Sequence, residues 1–597
     1  MAHRARLDHL SANPSLSCLP TNEEIDAANA VATKAAVEQK GPQDSMSRIS
    51  TGDSLSGLQV DQAPVFKYAA QNLDVPVVIV TSELHPWSKT GGLAIVAAAY
   101  GYNFAVRGHR TMVIAPMYDT YDGAFYQCTK SFELFGGWHE VRYFHHWQDY
   151  GNGKGCDYVF IDHPSFHRPG GLYHNTTTNE EYSDNLFRFA LFSLAALEVP
   201  VGVSLGGAPP YGGKVTFIAN DWQTALVPVY MQHRHRTCGN YHEARCLFTV
   251  HNLGYQGCYP LRLGLPPDQY DNFGQLGLPF AALGDLLFQY PLHERTYEGD
   301  TGETLNLTKG AIMCCDRILT VSPGYAMEIG TPEGGFRLND FIASKRFFLA
   351  GILNGIDESW NPCVDKDIAA RFSKDDLEGK KACKAALQAA LGLEQDPKAC
   401  IMAFVGRLTA QKGIDLIGAS VEWLMEDPKD GLNNVQLVMM GNGEPCYRDM
   451  LMWAEHRWKG RVCGYNGFSP QVERQIIAGS DFFLMPSRYE PCGIPQMCAM
   501  AYGTIPIVHA TGGLRDSVQS WYMDDAIATG FHIWPLNVDS LKKVMFDALD
   551  LFFRKEESLA AVKSRAMAQD FGWARAIDEY EMHIDWTLND PPYYGRR

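Results

Sequence analysis

Lys89 directly precedes the glycine turn formed by the tetrapeptide Thr90-Gly91-Gly92-Leu93, in Pro86-Trp87-Ser88-Lys89-Thr90-Gly91-Gly92-Leu93. A cation beside clustered backbone amides suits a diphosphate better than a lone carboxylate. The tetrapeptide returns late in the chain as Thr511-Gly512-Gly513-Leu514. Each copy follows an apolar run and precedes a helix-like stretch, so its glycines can take positive φ and bring unpaired N–H groups to an anion. Either copy alone reads equally as a tight strand-to-helix turn with no ligand. A basic pair follows in Val405-Gly406-Arg407-Leu408-Thr409-Ala410-Gln411-Lys412-Gly413, where Arg407 closes an apolar run and Lys412 comes five residues on. By spacing alone a solvated basic loop explains that segment better than a site does. In Ser487-Arg488-Tyr489-Glu490-Pro491-Cys492-Gly493-Ile494-Pro495-Gln496 one carboxylate, Glu490, sits at the lip of a turn. Its plain alternative is a helix N-terminal carboxylate favoured by the dipole.

Groups of this kind must be held at the ends of rigid elements. From Val75 onward, short β-branched apolar runs recur at 75–81, 111–116, 158–162, 215–221, 246–252 and 317–322, each ending in polar or glycine-rich sequence. A second series occupies 399–407, 435–441, 481–487 and 504–510. Runs apolar on both faces and separated by helical lengths predict parallel strands in βα order. The expected class is α/β, with two Rossmann-like halves joined between Pro323 and Pro362 and strand ends facing a ligand crevice. Residues 1–72 are rich in Ser, Ala, Asp, Gln and Gly without periodicity and are expected to be disordered.

Composition narrows the partners. In 597 residues the hydrophobic share is 46%, which is a folding composition and excludes collagenous and coiled-coil chains. A net charge of -17 opposes any nonspecific hold on nucleic acid or an anionic membrane, so an anionic substrate must be held by a few placed cations. The 15 cysteines are scattered without zinc-like spacing, which predicts reduced thiols in an intracellular compartment. The most apolar stretch, 190–205, carries Glu198 and Pro200, and no membrane span is expected. Arg4 and Arg6 are followed by Asp8 and then Glu23-Glu24-Ile25-Asp26 without an apolar core, which argues against a secretory signal and leaves a plastid transit peptide open.

Taken in order, the motifs resemble the starch and bacterial glycogen synthase family, with the granule-bound branch as the nearest pattern. The matching pieces are Glu83 with the first glycine turn, Arg107-Gly108-His109-Arg110 with Ala115-Pro116, Asp162-His163-Pro164 and Asn220-Asp221-Trp222-Gln223-Thr224. They continue with His251-Asn252-Leu253-Gly254-Tyr255-Gln256-Gly257, Asn306 to Gly310, Thr320-Val321-Ser322-Pro323, Asn354-Gly355-Ile356-Asp357, the Arg407/Lys412 loop, Glu490-Pro491-Cys492-Gly493 and the second glycine turn. Colinear motifs over roughly 74–585 are far more specific than any one of them.

The resemblance implies a GT-B fold in which two Rossmann-like domains face a deep cleft: a glucan/acceptor domain at 73–330, a nucleotide-sugar domain at 331–570, and a C-terminal helix and tail at 571–597. It implies retaining transfer of glucose from a nucleoside diphosphate glucose, ADP- or UDP-linked, to the 4-hydroxyl of a non-reducing α-1,4-glucan end. The setting would be a plastid, at the starch granule, or the cytosol. Glu490, His251, Arg407 and Lys412 would carry the transfer. Lys89, Gly91, Gly92, Gly493, Gln496, Thr511, Gly512 and Gly513 would line the donor, with Tyr465 stacked on its base, and Asp221 and Asn306 would belong to the sugar and acceptor cleft. Neither a metal nor another cofactor is implied, because Arg407 and Lys412 supply the charge neutralisation that Mg²⁺ supplies elsewhere.

Two departures fall inside these motifs. Where the family continues Gly-Asp-Val after the first glycine turn, this chain has Ala94-Ile95-Val96, and the residue after Ile494 is Pro495 in place of one with an N–H. Two classes of function therefore stand: an active α-1,4-glucan synthase, and a catalytically impaired relative that binds glucan or a partner synthase. A sucrose or trehalose-phosphate type of transferase does not explain the first glycine turn together with the His251 segment.

Overall fold

The computed structural model describes residue 73 and residues 75–591 apart from 177, 179, 262–270, 291–301 and 427–431; the segment 1–72 lies outside the described residues. The first half contains β1 (Val77–Val80), β2 (Thr111–Pro116), β3 (Phe125–Leu134), β4 (Gly137–Asp149), β5 (Gly155–Asp162), β6 (Thr216–Asn220) and β7 (Arg245–Val250). It continues with β8 (Cys258–Pro260), β9 (Leu287–Gln289), β10 (Glu303–Asn306), β11 (Arg317–Thr320) and β12 (Leu349–Gly351). The main sheet runs β12-β11-β7-β6-β1-β2-β5-β4-β3, and β8, β10 and β9 form a small antiparallel sheet beside it.

Every residue of β1 is buried because the strand has a layer on each side. Val77 and Ile79 belong to the same core cluster as Tyr100, Phe104 and Tyr580, while Val78 and Val80 belong to the one that holds Phe189 and Phe192. That is why the strand reads as an unbroken apolar run rather than an alternating one. The helix Asn185–Gly202 on the second side is long and apolar enough to cross a membrane, but 78% of it is buried inside the protein.

The second half is a wholly parallel sheet of β13 (Cys400–Val405), β14 (Val435–Gly441), β15 (Val462–Asn466), β16 (Phe482–Met485), β17 (Ile505–His509) and β18 (Phe531–Ile533), in the order β15-β14-β13-β16-β17-β18.

The boundary expected at residue 330 lies too early. β12 pairs with β11 through Ile318 and Leu349, so the first sheet continues to Gly351, where a side chain would lie 2.0 Å from the Ser322 carbonyl. The helix Trp573–Asn589 returns to the first half. Arg107 binds Glu581 at 2.6 Å, the Tyr100 and Tyr580 rings lie 4.9 Å apart, and Arg245 Nε donates to the Thr587 carbonyl at 2.9 Å. The last helix thus straps the halves together. The fourteen described cysteines are all free.

Candidate active site

The first glycine turn leaves β1 and enters the helix Leu93–Val106, with Gly92 at its N-cap. Lys89, Thr90, Gly91 and Gly92 are exposed. Two of the turn's amides are already taken. The Glu83 carboxylate accepts the Gly91 N–H at 3.0 Å and the Thr90 N–H beside it. Burial raises this carboxyl above its ordinary range, and the same two amides oppose the rise. Lys89 exerts its field on Glu473 of the helix Pro470–Gly479 in the second half. The halves touch here, since a methyl on Gly92 would lie 3.8 Å from Ile494 Cδ1. Ala94 and Ile95 sit in the first turn of a right-handed helix, so the alanine carries no strain, but that turn holds no acidic residue to complement the dipole.

Across from this turn, the end of β13 and the segment after β16 bring three charged groups together. Glu490 is only 8% exposed; its Oε2 lies 2.5 Å from Lys412 Nζ and accepts the Ser487 hydroxyl at 3.1 Å. Lys412 closes a short 3₁₀ turn, and Gly413 after it has φ +69 with Pro486 O only 2.0 Å from where a Cβ would stand. Arg407 is exposed and donates to Gln411 Oε1 at 3.3 Å, while Arg488 pairs with Asp415 at 2.7 Å and pins the same turn. The result is a carboxylate and one cation, Lys412, held where water is largely excluded, with Arg407 open to solvent. Tyr465 stands at the end of β15, partly buried.

The first half contributes the wall opposite Glu490. His251 follows β7, and its Nε2 pairs with Asn220 Oδ1 at 2.9 Å. Burial lowers the imidazole to about 3, so it is neutral at physiological pH. Asp221 accepts the His251 N–H at 2.7 Å and holds φ 58 with ψ -179, a region that costs a non-glycine residue on the order of 1–3 kcal/mol and persists where surroundings over-determine it. Tyr489, next to Glu490, meets this wall by hydrogen bonding Asn252 and packing its ring 5.8 Å from Phe336.

Burial raises the Asp221 carboxyl from 3.8 to about 7, with the His251 and Asn252 amides opposing. The folded chain therefore binds this proton more tightly than the unfolded chain does. Its stabilising share is full below about pH 4 and is lost as pH rises through about 7. Asp221→Asn has no such titration. Thermal midpoints measured from pH 4 to 7.5 should show the variant gaining on the wild type as pH rises, and parallel curves would contradict it.

Several residues expected to line the cleft are placed otherwise. Asn306 is fully buried: Oδ1 caps the helix Leu307–Cys314 by accepting the Lys309 N–H at 2.9 Å, and Nδ2 donates to Gln256 at 2.6 Å. It shapes the His251 segment from behind rather than facing open space. Gln496 is also fully buried and donates to the Gly493 carbonyl at 2.8 Å and to Ser517 at 2.9 Å, which holds the turn at Gly493, whose φ is +67. The second glycine turn does not offer its first amides to the cleft. The Gly512 N–H donates to Glu328 at 2.7 Å, the Thr511 hydroxyl donates to the same carboxylate at 3.1 Å, and the Gly513 N–H donates to the Glu490 carbonyl at 3.1 Å. Pro495 occupies the first turn of the helix Pro495–Ala501, a position where the missing N–H costs the helix nothing.

Sequence reasoning passed over Ser487, Tyr489, Glu473 and Glu328. Tyr489 and Ser487 could have been found as neighbours of Glu490, whereas Glu328 and Glu473 carry no local signal. Among the described residues one group of metal-ligand type occurs, His233, Asp285 and Cys314, with Asp285 already bonded to His233 at 2.8 Å and Cys314 at 3.4 Å; none of the three is a cleft residue.

Residues 76–344 match the family described as Starch synthase catalytic domain, and residues 390–566 match Glycosyl transferases group 1. The chain is 40% identical over 533 residues to soluble starch synthase 1 of Oryza sativa subsp. indica, spanning 87% of this chain and 79% of that one. It is 40% identical over 530 residues to starch synthase 1 of Arabidopsis thaliana, spanning 87% and 78%. Both relatives are named chloroplastic/amyloplastic, and the rice protein is a soluble synthase, so the granule-bound likeness of the motifs finds no support there. Among solved structures, the catalytic domain of starch synthase IV from Arabidopsis thaliana, bound to ADP and acarbose, aligns with TM-score 0.72 and 29% identity over 86% of this chain and 100% of that one. A sucrose-phosphate synthase from Thermosynechococcus elongatus shares the fold, with TM-score 0.51 at 16% identity over 86% and 100%.

Proposed function

Because the chain belongs to the starch synthase family, the glucosyltransferases of α-glucan synthesis, we propose that it transfers glucose from ADP-glucose to the 4-hydroxyl of a non-reducing α-1,4-glucan end, with retained configuration. The observation that carries this reading is the part-buried Lys412–Glu490 pair with the exposed Arg407 on the same loop as Lys412, joined through Tyr489 and Asn252 to the segment that holds the neutral His251. The ADP and acarbose bound to the starch synthase IV domain support the donor and the acceptor class. The plastid names of the relatives support that compartment.

In this reading Lys89, Arg407 and Lys412 surround the leaving diphosphate. An ammonium has three donors, so Lys412 can keep Glu490 and still take a phosphate oxygen as charge develops there. Breaking the bond from C1 to the β-phosphate oxygen sends its electrons to that oxygen, and the acceptor 4-hydroxyl attacks on the same face, passing its proton to the departing phosphate. Glu490, held by Lys412 and Ser487, orients the transferred sugar and stabilises its positive charge. A neutral His251 can donate to or accept from a sugar hydroxyl without adding charge.

The donor assignment is tested by nucleotide release in the presence of maltooligosaccharide. Release from ADP-glucose should exceed release from UDP-glucose by about tenfold or more, the size of one well-placed hydrogen-bond difference at the base. Faster release from the uridine donor would overturn the assignment while leaving the transfer itself intact.

A further inference from the structure

The short helix Pro323–Glu328 in the first half touches both walls of the cleft. Its Tyr325 hydroxyl accepts the Leu253 N–H at 2.9 Å, inside the segment that carries His251. Toward the second half, the Ser322 hydroxyl at its N-cap donates to the Pro491 carbonyl at 2.6 Å, and the Gly324 N–H donates to Asp516 at 2.6 Å. At its other end Glu328 accepts the Gly512 N–H at 2.7 Å and the Thr511 hydroxyl. The next amide, that of Gly513, donates to the carbonyl of Glu490 itself. Side chains at Gly512 and Gly513 would stand 2.2 Å from the Glu490 carbonyl and 2.0 Å from the Cys492 carbonyl, so the turn lies against the main chain of the Glu490 loop with no room to shift.

We propose that Glu328 is a positioning residue for the transfer reaction: through the Thr511-Gly512-Gly513 turn it fixes the main chain of Glu490, and its helix couples that loop to the His251 segment across the boundary between the halves. The proposal rests on the glucosyltransferase reading for its kinetic consequence. The two glycine turns then share one device. Glu83 holds the amides of the first turn from within its own half, and Glu328 holds those of the second from the opposite half. Only the second arrangement makes the placement of Glu490 depend on how the halves sit together.

Glu328→Ala should lower kcat by about tenfold or more with glucan affinity within about twofold of wild type, because a charge-assisted bond under Glu490 is lost while the first-half wall is untouched. Glu328→Gln, which keeps one acceptor oxygen, should recover most of the turnover. Asp516→Ala removes another part-buried contact between the same halves, the one to the Gly324 N–H, and should cost less turnover than Glu328→Ala. Equal losses would show general adhesion between the halves and overturn the proposal. Amide hydrogen exchange decides the structural half independently. In Glu328→Ala the peptides covering 490–493 and 511–514 should exchange about tenfold faster or more, and unchanged exchange overturns the positioning role. If the alanine variant does not fold, Glu328→Gln carries the same exchange test. Wild type with no transfer above a Glu490→Gln control would sink the glucosyltransferase reading, and the exchange result would still stand or fall separately.

Discussion

Lys412→Ala is expected to cut glucosyl transfer by about a hundredfold or more, because it removes two things at once. The leaving diphosphate loses a cation placed in a partly dry site, where a charge-assisted bond is worth roughly twice a neutral one. Glu490, 8% exposed, is left with the Ser487 hydroxyl as its remaining neutral partner. An uncompensated carboxylate there should also lower the thermal midpoint. Glu490→Gln in the Lys412→Ala background should restore much of the midpoint and none of the turnover, which separates the charge from its chemistry. Arg407→Lys should likewise turn over poorly, since a point charge does not reproduce the forked donors of a guanidinium. Glucan binding to the free protein should stay near wild type in both. A parallel loss of glucan binding would show the two cations to be structural.

Gly413→Ala should be nearly as damaging, for a steric reason alone. The residue holds φ +69, which disfavours any side chain, and its Cβ would stand 2.0 Å from the Pro486 carbonyl, a backbone atom that cannot swing away. Relief requires the turn carrying Lys412 to part from the segment that leads to Glu490. The expected outcome is a stability loss of several kcal/mol, or roughly the upper range of single substitutions, with transfer at background. Gly284→Ala is the matched control, in a helix where a Cβ would meet nothing within 4 Å. A Gly413→Ala protein with wild-type midpoint and turnover would mean that the loop tolerates displacement.

The chain disclosed its sheets wherever both faces are covered. The run 77–80 is continuously apolar because helices lie on both sides of it, and the same holds along β13 and β16 and, apart from the buried Gln436 and His509, along β14 and β17. What escaped notice is what lacks such cover. The hairpin of β3 and β4 sets exposed side chains beside partly or fully covered ones and carries Lys130, Glu133, Glu140 and Arg142, so it reads as loop until its pairing is seen. β12 and β18 are three residues each, too short for any pattern, and missing β12 is what set the domain boundary too early. Pairing across sequence is likewise invisible: Glu328 and Gly512 are 184 residues apart.

The glycine turns show the limit most clearly. Thr-Gly-Gly-Leu before a helix states that backbone amides want an acceptor, and in both copies a carboxyl of the same chain is there. In Thr90-Gly91 it is Glu83, and in Thr511-Gly512 it is Glu328. Local sequence specifies the donors and their φ freedom but not whether the acceptor is a ligand or a carboxylate of the same chain. The departures divide in the same way. Ala94 is harmless in a helix and Pro495 fits a helix's first turn, while Ile95 leaves the first helix turn without its acid.

Whether the Lys412–Glu490 site transfers glucose despite Ile95 and Pro495 decides between an enzyme and a glucan-binding relative. Incorporation of labelled glucose from ADP-glucose into maltooligosaccharide, with Glu490→Gln as background, measures this directly. Wild type should exceed the control by about a hundredfold or more, with Pro495→Thr raising turnover further and leaving glucan binding unchanged. Wild type equal to the control, with Pro495→Thr and the Ala94→Gly, Ile95→Asp pair both silent and glucan still bound, would contradict it and identify a glucan-binding relative.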